Sequence, residues 1–596
     1  MMLSCPRVYF HLFALFIPAC YANLWDVTKL IQEAKAVSSQ YVSYVLPANN
    51  EAYFTNFTAS APVDFGTFDF IIAGGGTAAG VLAYRLIQAG FSVLVVEAGG
   101  EASDTSVILG FSSYLEGSDA NWGFYTTPQV NGCLTSANRQ CSYPSGKALG
   151  GTTGISDGVY ARGSPQDYDN WAAMGNTGWA YKDVLPYFKK SENADFILNK
   201  DADCHGRNGP QGISFGPDTP GLTTQLLEGF KEIGLREVDY NGESQLGCSR
   251  IQLYLSNNIR SGSNYCFFRP IRDSPNLNIS LNSLVTKVVM ENKRAVGIEF
   301  VKDGQYYTAN ASNEVILSAG AIGSPQILML SGIGPAAQLK KFGIEVIADL
   351  PVGQHFRDHA YLVGVSFPTK ETYYNVSLDQ AVDLWMHGQG PLIRDLEGVI
   401  SFHDLDNDAQ PDIDIVSYIV ASRDPSGNFF INAVEVLIQI LQPHFEGEVT
   451  LASGDPRDYP LINPNLLAND VDVELIYQGL QIILALNDTE AYRNISSGFM
   501  VAAHAACDET SERMTKDWWF CVIRAFTGPC WHSTGTTRMG TCTNDSVVDP
   551  DLKVHGIDRL RVVDAGVMPT LNSGHTNAPV VMIAEKISDV IIRDYS

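Results

Sequence analysis

Phe68-Asp69-Phe70-Ile71-Ile72-Ala73-Gly74-Gly75-Gly76-Thr77-Ala78-Ala79-Gly80 is the stretch that decides the fold. Phe68 to Ala73 is a short apolar run of the kind that forms a buried strand, and it passes directly into a turn built almost without side chains. Val81 to Ala89 then carry Leu82, Leu86 and Ile87 on one helical side, Gly90 supplies a C-terminal stop, and Ser92 to Val96 read as a second buried strand. Strand, glycine turn, helix and strand make one βαβ unit, and hence a parallel sheet. Gly74 permits the tight bend, Gly76 lets backbone approach a pyrophosphate, and Ala79 takes the third position, where helix and strand pack closely. Thr77 and Ala78 belong to the same cofactor-binding turn, with the phosphates expected on the helix N-terminus. Glu97 ends the second strand, where a carboxylate can accept hydrogen bonds from both ribose hydroxyls and would repel a 2′-phosphate. The unit predicts FAD or NAD without choosing between them.

Around this unit the composition describes a packed protein. With 596 residues, 45% hydrophobic and 17% charged, the chain has material for a large core and at least two lobes, which excludes disorder or coiled coil as the dominant state. A net charge of −26 repels phosphate backbones and anionic lipid heads, so nucleic acid is not an expected partner.

The first 22 residues read as a signal peptide: Arg7 is followed by the apolar run Val8 to Ile17, and Cys20-Tyr21-Ala22 offers small residues for cleavage after Ala22. The run is too short to span a bilayer, and no later run is long enough, so a secreted, extracellular protein with no membrane span is expected. Of eleven cysteines, Cys5 and Cys20 leave with the signal, and nine remain where disulfides form, which leaves one unpaired by parity. Cys133 with Cys141, and Cys507 with Cys521, are the two preferred bridges. No pair has zinc-finger spacing, so no metal is expected. Sequons at Asn56, Asn278, Asn310, Asn375, Asn487, Asn494 and Asn544 fit a glycoprotein.

Further motifs carry a family resemblance. Gly146-Lys147-Ala148-Leu149-Gly150-Gly151-Thr152-Thr153 followed by Tyr160-Ala161-Arg162-Gly163, and Gly320 to Gly334 followed by Asp358-His359, resemble the two signatures of the glucose-methanol-choline (GMC) oxidoreductases. The resemblance continues through Pro443, Gly447 and Leu451, His532 to Gly540, Leu560 to Asp564 and Gly574-His575-Thr576-Asn577-Ala578-Pro579, and covers Phe68 to Ser596. The secretory start, the Cys133 and Cys141 pair and the Trp518 to Arg524 segment resemble the insect glucose dehydrogenase branch, which includes salicyl alcohol oxidases.

The resemblance implies non-covalent FAD, because Gly154 and Ile155 stand where some relatives carry a flavin-linked histidine. It implies that His532 takes the hydroxyl proton of an alcohol and that His575 orients the same hydroxyl. It places Gly150, Gly151 and Thr152 against pyrophosphate and flavin, Asp564 and Ala565 along the ribityl chain, and Asn577 and Pro579 near the pyrimidine ring. Histidine suits the base role because its free pKa near 6.5 leaves it mostly neutral at physiological pH. One departure stands out: Ser156-Asp157 replace the usual asparagine and small residue, which puts a carboxylate beside the flavin.

The expected fold is α/β: an FAD-binding Rossmann-like domain with a discontinuous α+β substrate domain. Residues 66–365 form the N-terminal cofactor region with a substrate-domain insertion about 191–250, residues 366–529 are mainly substrate domain, and residues 530–596 complete the cofactor site. Val399 to Phe402, Asp412 to Tyr418, Val434 to Leu441 and Gly447 to Leu451 are the expected strands of an antiparallel sheet roofing the flavin. The expected activity is oxidation of a primary alcohol or sugar, an aromatic or terpene alcohol being the branch's suggestion, with O2 or a quinone-type acceptor. The alternative is a secreted paralogue that keeps FAD without turnover.

Overall fold

The computed structural model describes residues 27–40, 45–52, 54, 61–194, 199–216, 221–393, 397–419, 422–423, 429–502 and 504–596. The signal segment, Cys5, Cys20 and Asn56 lie outside them.

The glycine-rich stretch folds as its apolar pattern dictates. Strand β1 (Val63–Ala73) ends in Phe70 to Ala73, all fully buried, and helix α1 (Thr77–Gln88) and strand β2 (Val93–Val96) follow. The helix starts four residues earlier than its apolar periodicity suggests, so that Gly76 is the N-cap and Thr77 and Ala78 lie in the first turn. β1 and β2 pair in parallel, and Leu277–Ser280 extends the sheet beyond β2. On the other side β1 pairs in parallel with Gln305–Leu317. That strand leads an antiparallel meander with Arg294–Lys302 and Ser283–Glu291 and also takes the parallel strand Leu560–Val562, which makes seven strands among the described residues. A chain segment some 490 residues downstream of β1 thus completes the same sheet, as a discontinuous lobe requires. The C-terminal helix Asn577–Tyr595 packs on α1, and Arg85 grips the fully buried Glu585 through Nε and Nη2 at 2.8 and 2.7 Å. Such bidentate pairs add geometric specificity as well as energy.

A second sheet, of eight strands among the described residues, is antiparallel, in the order Met500–Val501, Ala360–Val376, Phe429–Ile440, Ile413–Ile419, Glu397–His403 and Gly247–Arg250. Ser422–Arg423 and Thr527–Pro529 pair at its margins. Leu222–Glu232 and Asp470–Asn487 bury their apolar faces against it. Three of the four expected strands lie in this sheet. The fourth does not: Glu448–Thr450 pairs with Leu461–Asn463 in a separate ribbon. Its apolar residues are satisfied there, since Val449 packs with Phe356 and Ile462 in their own small cluster.

Both preferred disulfides form, Cys133–Cys141 and Cys507–Cys521. The parity expectation of one leftover thiol is corrected: Cys204, Cys248, Cys266, Cys530 and Cys542 are all free. They are held on separate parts of the fold, and Cys248 and Cys266 are buried in different cores.

Candidate active site

A cavity of about 530 Å3 lies between the glycine turn and the antiparallel sheet, a volume suited to an organic ligand. From the first lobe it is lined by Gly74, Gly76, Thr77, Ala78, Glu97, Gly151 and Thr152, and from the C-terminal segments by Asp564, Ala565, Asn577, His532 and His575. The fold therefore brings twelve expected site residues to one wall system. Two do not belong there. Gly150 packs outside this cavity, against Asn264, with φ near +100°. Pro579 is buried inside the first turn of the final helix, where its fixed φ suits helix initiation.

The two outer turn glycines differ in purpose. A Cβ on Gly74 would lie 2.6 Å from the Ser318 carbonyl oxygen, so packing alone forbids a side chain. A Cβ on Gly76 would meet nothing closer than that oxygen at 3.8 Å. Protein packing does not require the second glycine, and it holds open a space beside the cavity. The N-terminus of α1 also lacks a side-chain cap. Its first amides are thus left to an anion, with the helix dipole in support. Glu97 is held firmly, accepting from the Gly75 amide at 2.7 Å and the Gly99 amide at 2.8 Å. Burial raises its pKa, while the two donors counteract it. Asp564 accepts from Ser324 Oγ at 2.6 Å and from the amides of Gly566 and Gly320 at 2.8 and 3.0 Å, and burial lifts it to about 6. Asn577 Nδ2 is a buried donor with no partner among the described residues. An uncapped helix N-terminus, an open glycine and an orphan amide donor fit a bound dinucleotide.

The histidines come from three distant segments. His532 follows Thr527–Pro529, a strand anchored on Ala360 to Leu362. The loop beyond is laced to the chain before that strand: Cys530 N donates to His359 O at 2.8 Å, and Arg357 and Thr534 exchange backbone bonds. His532 N donates to Asp358 Oδ1 at 2.7 Å, while Tyr143 OH donates to the other carboxylate oxygen. Burial lifts Asp358 to about 7. His575 sits in a loop tied down by Ser573, whose amide and hydroxyl both donate to buried Asp167 at 2.6 and 2.8 Å. The His532 and His575 rings meet edge to face with centroids 4.8 Å apart. Burial, with His575 and His359 nearby, holds His532 well below the ordinary histidine value, and burial holds His575 at about 4. Both rings are neutral at physiological pH. His575 Nε2 is buried without a partner among the described residues, and so is available to a hydroxyl group.

Sequence reasoning missed several neighbours. His359 lies behind His532 with the two Nδ1 atoms 2.8 Å apart, and Gln439 and Asp414 line the cavity from the antiparallel sheet. Asp358-His359 was visible as a dipeptide, but nothing in its spacing ties it to a residue 174 positions away. Asp157 lines the cavity as the departure at that position suggests, and its charge reaches Tyr254, Tyr361 and Cys530. Ser156 Oγ pairs with Tyr254 OH, and buried Arg260 donates to the Ser156 carbonyl.

Comparison with known proteins agrees with this geometry. Family models described as GMC oxidoreductase match residues 68–361 with their N-terminal part and 443–584 with their C-terminal part. The chain is 35% identical over 540 residues to a glucose dehydrogenase [FAD, quinone] of Drosophila pseudoobscura pseudoobscura, covering 87% of this chain and 86% of that protein. It is 33% identical over 565 residues to an ecdysone oxidase of Bombyx mori, with 89% and 82% covered. Among solved structures, pyridoxine 4-oxidase from Mesorbium loti superposes with a TM-score of 0.76 at 25% identity, covering 89% of this chain and 99% of that one.

Proposed function

Because the chain belongs to the GMC oxidoreductases, flavoproteins that bind FAD and act on CH–OH donors, we propose that it is a secreted oxidase or dehydrogenase of a primary alcohol or sugar, with His532 as base. The observation that carries this reading is the pair of neutral histidines, held in that form by desolvation, on the same cavity as the open glycine turn. Gly76, Thr77 and Ala78 would hold the cofactor's phosphates, Glu97 its adenosine ribose, Gly151, Thr152, Asp564 and Ala565 its middle, and Asn577 its pyrimidine edge. When bound, FAD supplies a hydride acceptor for the carbon that bears the substrate hydroxyl. His532 takes the hydroxyl proton, and His575 donates or accepts a hydrogen bond to hold the oxygen. Desolvation keeps both rings uncharged, so that the proton passes to a base already in its accepting form.

Tyr361, Tyr418, Trp531, Val416 and Leu437 line the same cavity and favour an aromatic or terpene alcohol over a small polar one. The acceptor is O2 or a quinone. Secretion is supported by the leader over residues 1–22, by two disulfides, and by the exposure of Asn278, Asn310, Asn375, Asn494 and Asn544. Among the described residues no helix is long and apolar enough to cross a membrane. The division into a cofactor region over 66–365 with an insertion about 191–250, a substrate region over 366–529 and a closing segment over 530–596 is supported by the membership of the two large sheets.

Asp157 favours a second reading. A carboxylate on the cavity wall would oppose negative charge building on a reduced flavin, as in a paralogue that keeps FAD without turnover. The test is substrate-driven bleaching of the FAD-loaded protein across a panel of primary alcohols and sugars, with His532→Ala alongside. Bleaching that drops roughly 10²- to 10⁴-fold in the variant at unchanged flavin content supports the base. No bleaching by any substrate supports the silent paralogue, and equal bleaching in both proteins refutes the role of His532.

A further inference from the structure

His359 is fully buried one residue ahead of strand Ala360–Val376, behind His532 as seen from the cavity. Its Nε2 lies 3.1 Å from the main-chain carbonyl oxygen of Asn572. A carbonyl oxygen only accepts, so Nε2 carries a hydrogen. Burial and the neighbouring His575 hold the ring at about 3, so it is neutral and Nδ1 keeps a lone pair without a hydrogen. His532 Nδ1 stands 2.8 Å from that lone pair. The bond needs one hydrogen, and only His532 can provide it.

Gln439 gives the same polarity independently. Cys530 Sγ donates to Gln439 Oε1 at 2.8 Å, which turns Nε2 of the amide toward Asp414 Oδ2 at 3.3 Å and His359 Nδ1 at 3.5 Å. A donor faces His359 Nδ1 from this side too, as suits an acceptor. The backbone holds the two rings in register: Cys530 N bonds to His359 O, His532 N bonds to Asp358, and the ring planes cross at 90°.

We propose that His359 is a positioning residue that fixes the tautomer of His532, accepting the Nδ1 hydrogen so that the lone pair stays on Nε2, the nitrogen left for the substrate. This rests on the reading of His532 as the base. The substrate's hydroxyl proton then goes to Nε2, and the His532 cation that results keeps its Nδ1 hydrogen in the bond to His359. Without that acceptor a neutral His532 can place its hydrogen on Nε2, where it blocks the reaction. The logic is that of an orienting partner behind a catalytic histidine, whose loss costs roughly 10²- to 10⁴-fold in rate.

The test uses FAD-loaded protein with 15N-labelled histidines, as wild type, His359→Asn and His359→Leu. Both variants lose the Asn572 contact, but only Asn keeps an acceptor for His532 Nδ1. Ring-nitrogen NMR should show His532 with hydrogen on Nδ1 in wild type and in His359→Asn, and a shift to the opposite tautomer in His359→Leu. Bleaching by substrate should fall less than tenfold for Asn and roughly 10²- to 10⁴-fold for Leu, at unchanged flavin content. Hydrogen on Nε2 in the wild type, or an unchanged tautomer in a flavin-loaded Leu variant, overturns the proposal. If the Leu variant fails to fold, the wild-type and Asn spectra decide. If no substrate bleaches the wild type, the functional reading fails, and the tautomer comparison still decides the role of His359.

Discussion

Replacing Gly76 with valine should separate cofactor binding from folding. The structure supplies the control, because Gly74→Ala at the other end of the same turn should do the reverse. At Gly76 the backbone is extended, with φ −81° and ψ −157°, and an added Cβ meets only the Ser318 oxygen at 3.8 Å. A β-branched residue tolerates such a backbone, so the apoprotein should unfold within about 0.5 kcal/mol of wild type, as surface changes without a special mechanism do. At Gly74 the Cβ lies 2.6 Å from the same oxygen and φ is +99°. Left-handed strain and overpacking together should destabilise the apoprotein by about 2 kcal/mol or more. The holoprotein adds a second measure. Ligand at a hundred times its dissociation constant stabilises the native state by about 2.7 kcal/mol, and that gap should vanish in Gly76→Val. Denaturant unfolding with and without FAD, with flavin content by absorbance, reads both terms. Full flavin occupancy and an undiminished holo–apo gap in Gly76→Val would refute the assignment of this turn to the cofactor.

Other outcomes follow from the same site. His575→Asn should slow bleaching less than His532→Ala does, since an amide still hydrogen-bonds the hydroxyl; comparable losses would end the division of labour between the two rings. The pH profile of kcat/KM should keep its plateau through pH 6.5. The folded pKa of His532 is depressed below the unfolded value, so the accepting form persists as pH falls and is lost only on reaching the folded value; an acid limb at 6.5 or above would contradict this. Asp157→Gly should speed flavin bleaching by substrate, and a stopped-flow rate no faster than wild type would remove the main support for the silent paralogue. Acid or heat precipitation should release the flavin into the supernatant, because Gly154 and Ile155 offer no side chain for a covalent link; flavin kept in the pellet would show otherwise.

Features whose physics is local were legible from residue order. The run Phe70 to Ala73, the glycine turn and α1 declare themselves because strand burial, φ freedom and helix periodicity act within a dozen residues. Glu97 could be placed for the same reason. The two disulfides close loops of only 8 and 14 residues, within reach of a reading by proximity. The limits of such reading show at Gly150, Pro579 and Gly447 to Leu451, each plausible by motif or alternation. The first two are kept out of the cavity, and the third out of the antiparallel sheet, by neighbours far away in the chain. The motif assigns Gly74 and Gly76 separate roles, but their packing difference is tertiary: the Ser318 carbonyl oxygen lies 2.6 Å from a Cβ on the first and 3.8 Å from a Cβ on the second. The active site depends most on tertiary structure. His359, His532 and His575 reach one cluster only because Thr527–Pro529 pairs with Ala360 to Leu362 and because Asp167 ties the Ser573 loop. Their shared desolvation, which keeps the rings neutral, and the Asn572 carbonyl that orients His359 exist only once those segments are packed together.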